Sequence, residues 1–210
     1  MPERDIEALN VPEHVEAIAD VLEMAAFAAQ RGWVPATSGN FSRRVDARSI
    51  AITRSGADKT KLAERDIILV DLEHATPEGA SAETPLHVAR YRRNHAIECI
   101  MHVHSVPSTV ASKRYAGNGA IQTSGYEMIK ALPGFTTHAA ALRIPIFANS
   151  QDTAAMAEEI ERSLHEEAVP GYLIAGHGLY AWGESVPAAC RHAEALDFLL
   201  ACVLEEWRGQ

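Results

Sequence analysis

The sequence has few cysteines, no excess of positive charge and no long apolar run. Its 210 residues include three cysteines and carry a formal net charge of -9. Nonspecific nucleic-acid binding depends on basic surfaces that neutralise phosphates, so we expect no nucleic-acid partner. No uninterrupted apolar run approaches the roughly 20 residues that cross a bilayer, so we expect no membrane partner either.

The few cysteines and the N-terminal composition indicate the cellular compartment. Cys99, Cys190 and Cys202 form no CxxC pair and lie in apolar segments, which favours small reduced core residues. The segment MPERDIEALN mixes charges of both signs without an apolar centre, unlike a signal peptide. We therefore expect a cytoplasmic protein. The apolar fraction of 47% and the charged fraction of 22% are those of a globular protein, and the length fits one domain, 1–210.

Hydrophobic periodicity divides the chain into short elements. Helices are predicted at Val11–Arg31, from a capping Thr84 to about Asn94, at Thr153–Glu166, and from Val186 to about Trp207 behind a capping Ser185. Strands are predicted at Phe41–Val45, Ile50–Thr53, Asp66–Leu72, Ala96–His104 and Ile144–Ala148, and at Tyr172–Trp182 with an interruption at Gly176 and Gly178. Loops with a short helix at Tyr126–Leu132 are expected between Lys113 and His138. Turn-linked strands early in the chain argue against a purely parallel sheet, so an α/β fold with a mixed or mainly antiparallel central sheet is predicted.

Two histidine motifs suggest a metal site. His102 and His104 flank Val103 at the end of a predicted strand, and residues two apart on a strand share a face. Both imidazoles can then converge on one ion while Val103 points into the core. His177 lies between two glycines, which permit close approach of a ligand or of other backbone. Three imidazoles with open coordination positions match a catalytic zinc site, although imidazole suits other divalent ions. The structural alternatives are a polar strand face and a β-bulge.

Small polar turns that contain glycine or serine form a third feature. They are Thr37-Ser38-Gly39-Asn40, Thr53-Arg54-Ser55-Gly56 and Ser81-Ala82-Glu83. Backbone amides at such turns form anion-binding nests, and the nearby Lys59 would add positive charge. The pattern predicts a phosphate site, with plain turns as the alternative. Its candidate residues are Gly39, Asn40, Ser55, Gly56, Lys59 and Ser81.

The motifs ATSGNFSRR, ITRSGADKTKL, SAETPLHVARY, MHVHS and GHGLYAWG, in this order, resemble the class II aldolase/adducin superfamily over nearly the whole chain. Within it, GYEMIKAL and the AWG after the third histidine are most similar to the methylthioribulose-1-phosphate dehydratases of methionine salvage. The resemblance implies a three-layer α/β/α fold and a homotetramer with active sites near subunit interfaces. It also implies one Zn²⁺ per subunit, held by His102, His104 and His177, and a small phosphorylated ketose as substrate.

The resemblance implies two positions for the acid/base carboxylate. In the dehydratases it is the glutamate of the EMIK segment, here Glu127. In the sugar-phosphate aldolases it is the glutamate of the SxE motif, here Glu83. This sequence has both, and we favour Glu127. Aldolases often have serine where Ala82 stands, which weakens the aldolase interpretation.

The activity implied is zinc-dependent dehydration of 5-methylthioribulose 1-phosphate to 2,3-diketo-5-methylthiopentyl 1-phosphate. A carboxylate removes the C3 proton, the metal acts as a Lewis acid, and the C4 hydroxyl leaves as water. The enzymatic alternative is a class II aldolase or epimerase acting on fuculose, rhamnulose or ribulose phosphates. A non-catalytic interaction domain like that of adducin is a third hypothesis, but such a domain has no need of all three histidines.

Overall fold

A computed structural model of the protein describes residues 12–74, 76–164 and 169–209. Its helices are α1 Pro12–Gln30, α2 Thr84–Arg93, α3 Val106–Arg114, α4 Thr153–Ser163 and α5 Val186–Arg208. Its strands are β1 Asn40–Arg44, β2 Ser49–Thr53, β3 Ile67–Asp71, β4 Cys99–Val103, β5 Ala120–Thr123, β6 Leu142–Phe147, β7 Gly171–Ile174 and β8 Gly178–Gly183. Short 3₁₀ helices lie at Pro35–Thr37, Glu64–Asp66, Ala116–Asn118 and Glu127–Ala131.

The eight strands form one sheet in the order β3-β2-β1-β4-β8-β7-β6-β5. Neighbouring strands are antiparallel except β6 and β7, which are parallel. The register places Asn40 of β1 and Tyr180 of β8 on either side of His102 in β4. The predicted α/β fold with a mainly antiparallel central sheet is confirmed, and His102 lies in its middle.

Apolar side chains cover both faces of this sheet. Met24 of α1 and Leu196 of α5 belong to the core on one face. Leu86 of α2 and Ile160 of α4 belong to a second core on the other face. Burying one such side chain contributes about 1.5–3 kcal/mol, so the two cores fix the helices on opposite sides as an α/β/α sandwich. Within the described ranges, no helix has the length and apolar content needed to cross a membrane.

Small polar side chains begin several helices. Ser185 Oγ accepts a hydrogen bond from the backbone of Ala188 at 3.3 Å, which confirms the predicted cap of α5. Ser105 Oγ accepts from Ser108 N at 3.1 Å and begins α3, a helix that the sequence pattern did not predict. The reason is that α3 buries Ser108, Ala111 and Ser112, so its inner face shows no apolar period.

Two predicted elements are corrected. Thr84 was expected to cap α2, but Glu83 occupies the cap position and no side chain makes a cap hydrogen bond there. The predicted strand Tyr172–Trp182 is an antiparallel hairpin of β7 and β8. Its turn contains Gly176 with a φ of 66°, a left-handed conformation that glycine adopts at no steric cost.

The remaining differences concern the edges of elements. The stretch between Lys113 and His138 contains strand β5, which pairs with β6, besides the expected short helix near Tyr126–Leu132. Helix α4 ends at Ser163, and the predicted end at Glu166 lies outside the described residues. Cys99 and Cys190 are buried and unbridged as expected, whereas Cys202 is half-buried.

Candidate metal centre and active site

Three histidines converge at one end of the central strands. His102 lies in β4, His104 directly follows that strand, and His177 lies in the turn between β7 and β8. One ligand atom from each lies within 4.8 Å of the other two. His102 Nε2 is 2.8 Å from His104 Nε2 and 3.3 Å from His177 Nε2. The structure therefore brings together the three predicted ligands, and Val103 belongs to the core as expected.

The orientation of His102 is fixed by its surroundings. Its Nδ1 lies 3.1 Å from the carbonyl oxygen of Leu179, and a carbonyl only accepts, so Nδ1–H donates and Nε2 keeps its lone pair. The ring stacks on Tyr180 with centroids 4.1 Å apart. Burial lowers the pKa of His102 to about 3 and that of His104 to about 4. Both imidazoles are thus neutral, which is the form that binds metal.

Gly178 allows strand β8 to approach β4 beside the histidines. A Cβ at this position would lie 2.3 Å from the carbonyl oxygen of Val103 and 3.2 Å from Cε1 of His102. The histidine before it lies in a hairpin turn rather than in a β-bulge, since His177 N donates to Ile174 O at 3.0 Å. The two glycines around His177 are therefore required for different reasons: Gly176 for the conformation of the turn, and Gly178 for the close contact between the strands.

The carboxylate of Glu83 faces the histidines. Its Oε1 lies 3.0 Å from His177 Nε2 and its Oε2 lies 3.5 Å from His102 Nε2. Asn40 Nδ2 donates to Oε2 at 2.7 Å. Burial alone raises the pKa of Glu83, but the positive charge that His102 carries at low pH and the hydrogen bonds from His177 and Asn40 outweigh burial and lower this pKa well below its ordinary value. An ionised carboxylate at this position can accept a proton or a hydroxyl hydrogen bond.

A cavity of about 180 Å³ adjoins His104 and Glu83. It is lined by the six residues predicted to bind phosphate and by three further residues. The six are Gly39, Asn40, Ser55, Gly56, Lys59 and Ser81, and the three are Thr37, Ser38 and Arg54. Lys59 is only 3% exposed, and its Nζ donates to Ala57 O at 2.8 Å. Burial lowers the pKa of Lys59, an effect that nearby carboxylates oppose. A cationic side chain and two glycine turns thus line one small cavity, a combination that suits an anion site.

Arg54 is a cavity residue that the sequence reasoning did not single out. Its guanidinium lies against Gly79, where a Cβ would be 2.5 Å from Nη1. A guanidinium matches phosphate oxygens in a bidentate manner. The available signal was its place directly before Ser55 and Gly56 in a turn already assigned to phosphate. Arg54 and Lys59 together supply local positive charge in a chain whose net charge is -9.

The loop before β1 carries backbone strain next to this cavity. Ala36 and Thr37 have φ values of 50° and 64°, in the left-handed region that residues with a Cβ rarely adopt. Such conformations cluster at ligand sites, where the surrounding structure holds them. Thr37 lines the small cavity and Pro35 lines a second one, so this loop borders both spaces.

The second cavity, of about 580 Å³, adjoins the same His104 and Glu83. Its other lining residues are Pro35, Ala82, Thr109, Asn149, Ser150, Gln151, Thr153, Met156, Gly176 and His177. Thr109 Oγ1 donates to the carbonyl oxygen of His177 at 2.9 Å, so α3 holds the turn that carries this histidine. Because the two cavities share Glu83 and His104, one elongated ligand can occupy both and pass the histidines.

Glu127 lies elsewhere in the chain. It begins a 3₁₀ helix, its side chain is 69% exposed, and it pairs with Lys130 and, at 3.3 Å, with His138. It is not among the described residues that line either cavity. Of the two predicted acid/base carboxylates, only Glu83 therefore lies at the histidines of its own chain.

Comparisons with known proteins agree with this architecture. Residues 19–204 match the family model for the class II aldolase and adducin N-terminal domain. The chain is 49% identical to a methylthioribulose-1-phosphate dehydratase of Parvibaculum lavamentivorans over 195 residues, 92% of this chain and 96% of that protein. It is 51% identical to one of Xanthomonas campestris pv. campestris over 180 residues, 84% of this chain and 83% of that protein. The l-fuculose-1-phosphate aldolase structure from Thermus thermophilus matches with a TM-score of 0.74 at 25% identity, over 92% of this chain and 97% of that one.

Proposed function

The chain belongs to the class II aldolase and adducin N-terminal domain family, and we propose that it is a methylthioribulose-1-phosphate dehydratase. As a lyase of methionine salvage, it removes water from 5-methylthioribulose 1-phosphate to give 2,3-diketo-5-methylthiopentyl 1-phosphate. The identity of about half of the residues with dehydratases over most of both chains supports this assignment. The structural observation that carries it is the cluster of three converging imidazoles next to a cavity with Arg54 and Lys59.

We propose Zn²⁺, one per subunit, as the metal of His102, His104 and His177. Three imidazoles whose Nε2 atoms converge are a donor set that zinc prefers, with coordination positions left open for substrate. When bound, the ion supplies Lewis-acid polarisation of the substrate's C2 ketone and C3 hydroxyl. The chain supports the ligands through the Leu179 carbonyl behind His102 and through Thr109 behind His177.

The two cavities accommodate the two ends of this substrate. The C1 phosphate is placed in the small cavity, where Arg54, Lys59 and Ser55 provide charge and hydrogen-bond donors. The C5 methylthio tail then extends into the larger cavity, where Ala82 and Met156 present apolar surface. The carbons between the two ends lie at the histidines.

Two carboxylates take part in the proposed reaction, one in proton transfer and one in orienting the substrate. We propose Glu127 as the main acid/base, acting on the site of a neighbouring subunit within a homotetramer; its exposure at the surface of its own chain supports this. It removes the proton from C3 and protonates the C4 hydroxyl, which leaves as water. Tautomerisation of the resulting enol gives the diketone. Glu83, in its own chain, accepts a hydrogen bond from a substrate hydroxyl and orients the reacting carbons.

The second candidate is a class II sugar-phosphate aldolase or epimerase. The observation that favours it is the position of Glu83 at the histidines, since in sugar-phosphate aldolases the corresponding glutamate is expected to be the acid/base. An interaction domain like that of adducin fits less well, because three converging imidazoles and a carboxylate within 3.5 Å of two of them have no role there.

We further propose that 1–210 forms a single domain that acts in the cytoplasm without nucleic-acid or membrane partners. The function is tested by incubating zinc-loaded protein with 5-methylthioribulose 1-phosphate or fuculose 1-phosphate, with diketone and aldehyde products followed separately. Diketone from the first substrate supports the dehydratase, and aldehyde from the second supports the aldolase.

A further inference from the structure

A buried chain of hydrogen bonds runs from helix α2 to the carboxylate of Glu83. Tyr91 and His87 of α2 meet Ser42 and Asn40 of β1, and these four side chains are at most 2% exposed. Ser42 Oγ lies 3.0 Å from Tyr91 OH and 2.7 Å from His87 Nδ1. His87 Nε2 contacts Asn40 Oδ1, and Asn40 Nδ2 donates to Glu83 Oε2 at 2.7 Å.

The direction of the bonds from Ser42 to Glu83 follows from the last member of this chain. An ionised carboxylate only accepts hydrogen bonds, so Asn40 must present Nδ2 to Glu83 and Oδ1 to His87. Since Oδ1 also only accepts, His87 donates through Nε2–H. If His87 is neutral, its Nδ1 then accepts from the Ser42 hydroxyl. The four side chains from Ser42 to Glu83 thus have one consistent arrangement, with all three donors directed towards Glu83. Tyr91 OH donates to the carbonyl oxygen of Ser42 at 3.0 Å beside them.

His87 remains neutral within this arrangement. It is fully buried, and burial lowers its pKa to about 4. Its ring packs edge-on against the ring of Tyr180 with the centroids 5.7 Å apart, and this contact restricts rotation of the imidazole. A neutral, immobile imidazole with one fixed tautomer is suited to hold a partner amide in one of its two flipped orientations.

We propose that His87 is a positioning residue: it holds the Asn40 amide in the orientation that aims the Glu83 carboxylate at the metal centre. Without a donor at this position, Asn40 Oδ1 loses its buried partner, so the amide and the carboxylate that it holds are no longer fixed in one position. Ser42, whose hydroxyl donates to Nδ1, keeps His87 in the tautomer that donates through Nε2–H. The kinetic part of this inference rests on the proposed function, whereas the position of Glu83 does not.

The kinetic test compares His87→Phe, which fills the ring volume without a donor, with His87→Gln, which keeps an amide donor for Asn40. Loss of a supporting hydrogen bond behind a metal-site residue costs about 10–100-fold in activity. We expect His87→Phe to lose kcat in this range with KM and zinc content nearly unchanged, and His87→Gln to recover most of it. In a Glu83→Gln background, His87→Phe should cause little further loss, because both changes remove the same function.

The matched control is His192→Phe, a second buried histidine, whose Nδ1 lies 2.7 Å from Trp182 O outside this network. It should retain wild-type kcat. The proposal would be overturned if the fold-losses in kcat of His87→Phe and Glu83→Gln multiplied fully in the double variant. It would also be overturned if His87→Gln lost as much kcat as His87→Phe. Crystal structures of zinc-loaded wild type and His87→Phe test the proposal independently of enzymatic activity. Glu83 should leave the histidines in the variant, and an unmoved Glu83 with an unmoved Asn40 amide would overturn it even if the proposed substrate proved wrong.

Discussion

Nδ1 of His102 donates to the backbone carbonyl of Leu179 across the pair of strands β4 and β8, at 3.1 Å. A candidate metal ligand is thus oriented by the main chain of the adjacent strand rather than by a mobile side chain. Because the orienting group belongs to the sheet, we expect the fold around the site to persist when an individual ligand is removed.

Replacement of His102, His104 or His177 by alanine should therefore remove tightly bound zinc while the protein still melts cooperatively. Metal content after dialysis and thermal unfolding by circular dichroism measure the two properties. His95→Ala, at an exposed position, is the matched control and should keep one equivalent of zinc. A full equivalent in any of the three site variants would show that the proposed ligand set is wrong.

Gly178→Ala should destabilise the sheet beside the metal centre. The added Cβ would lie 2.3 Å from Val103 O, and forced overpacking in a core costs about 1–3 kcal/mol. Gly117→Ala is the control, since a Cβ there meets nothing within 4 Å. Denaturant unfolding of both variants measures the difference in free energy of unfolding. Equal stability of the two variants would contradict the close contact of β8 with β4.

Arg54→Met should weaken binding of the phosphorylated substrate. Hydrogen bonds to a charged group are worth about 1.5–3 kcal/mol, and each 1.4 kcal/mol is about tenfold in affinity, so KM should rise about 10–100-fold. Arg48→Met, with a side chain that is 70% exposed, should leave KM unchanged. Ser55→Leu should raise KM in the same direction by filling the cavity. Unchanged KM in both cavity variants would place the phosphate elsewhere.

Glu127→Gln should lose about 10²–10⁴-fold in kcat, the usual contribution of a general acid/base, with zinc retained. Glu83→Gln should lose less. Coexpression of Glu127→Gln chains with His104→Ala chains should restore activity well above that of either variant, because mixed oligomers contain sites with both groups intact. Mixed oligomers without restored activity would refute catalysis across subunits. An inactive Glu83→Gln with a nearly wild-type Glu127→Gln would favour the aldolase-like assignment.

Much of the site could be predicted because its signals are local. Strand alternation places His102 and His104 on one face around a core Val103, and the three polar turns do meet in one cavity. The capped final helix and the early hairpin strands could also be predicted from the sequence, since each depends on neighbouring residues. These local rules were sufficient for the sheet type and for the histidine cluster.

The features that were missed depend on contacts between distant segments. Helix α3 buries serine and alanine against the core, so it has no apolar period to detect. Arg54 becomes a cavity residue only through the loop that carries Gly79. His87 acquires its role from Asn40 and Ser42, more than forty positions earlier in the chain. A sequence pattern along α2 contains no signal of that partnership.

The most direct test of the proposed function is the product formed from 5-methylthioribulose 1-phosphate by zinc-loaded protein. Mass spectrometry and the diketone absorbance should show a product that has lost one water, formed at a kcat/KM far above any cleavage of fuculose 1-phosphate. Dialysis against a chelator should abolish the reaction and zinc should restore it. If the first substrate stayed intact while fuculose 1-phosphate was cleaved to an aldehyde, the dehydratase assignment would be contradicted.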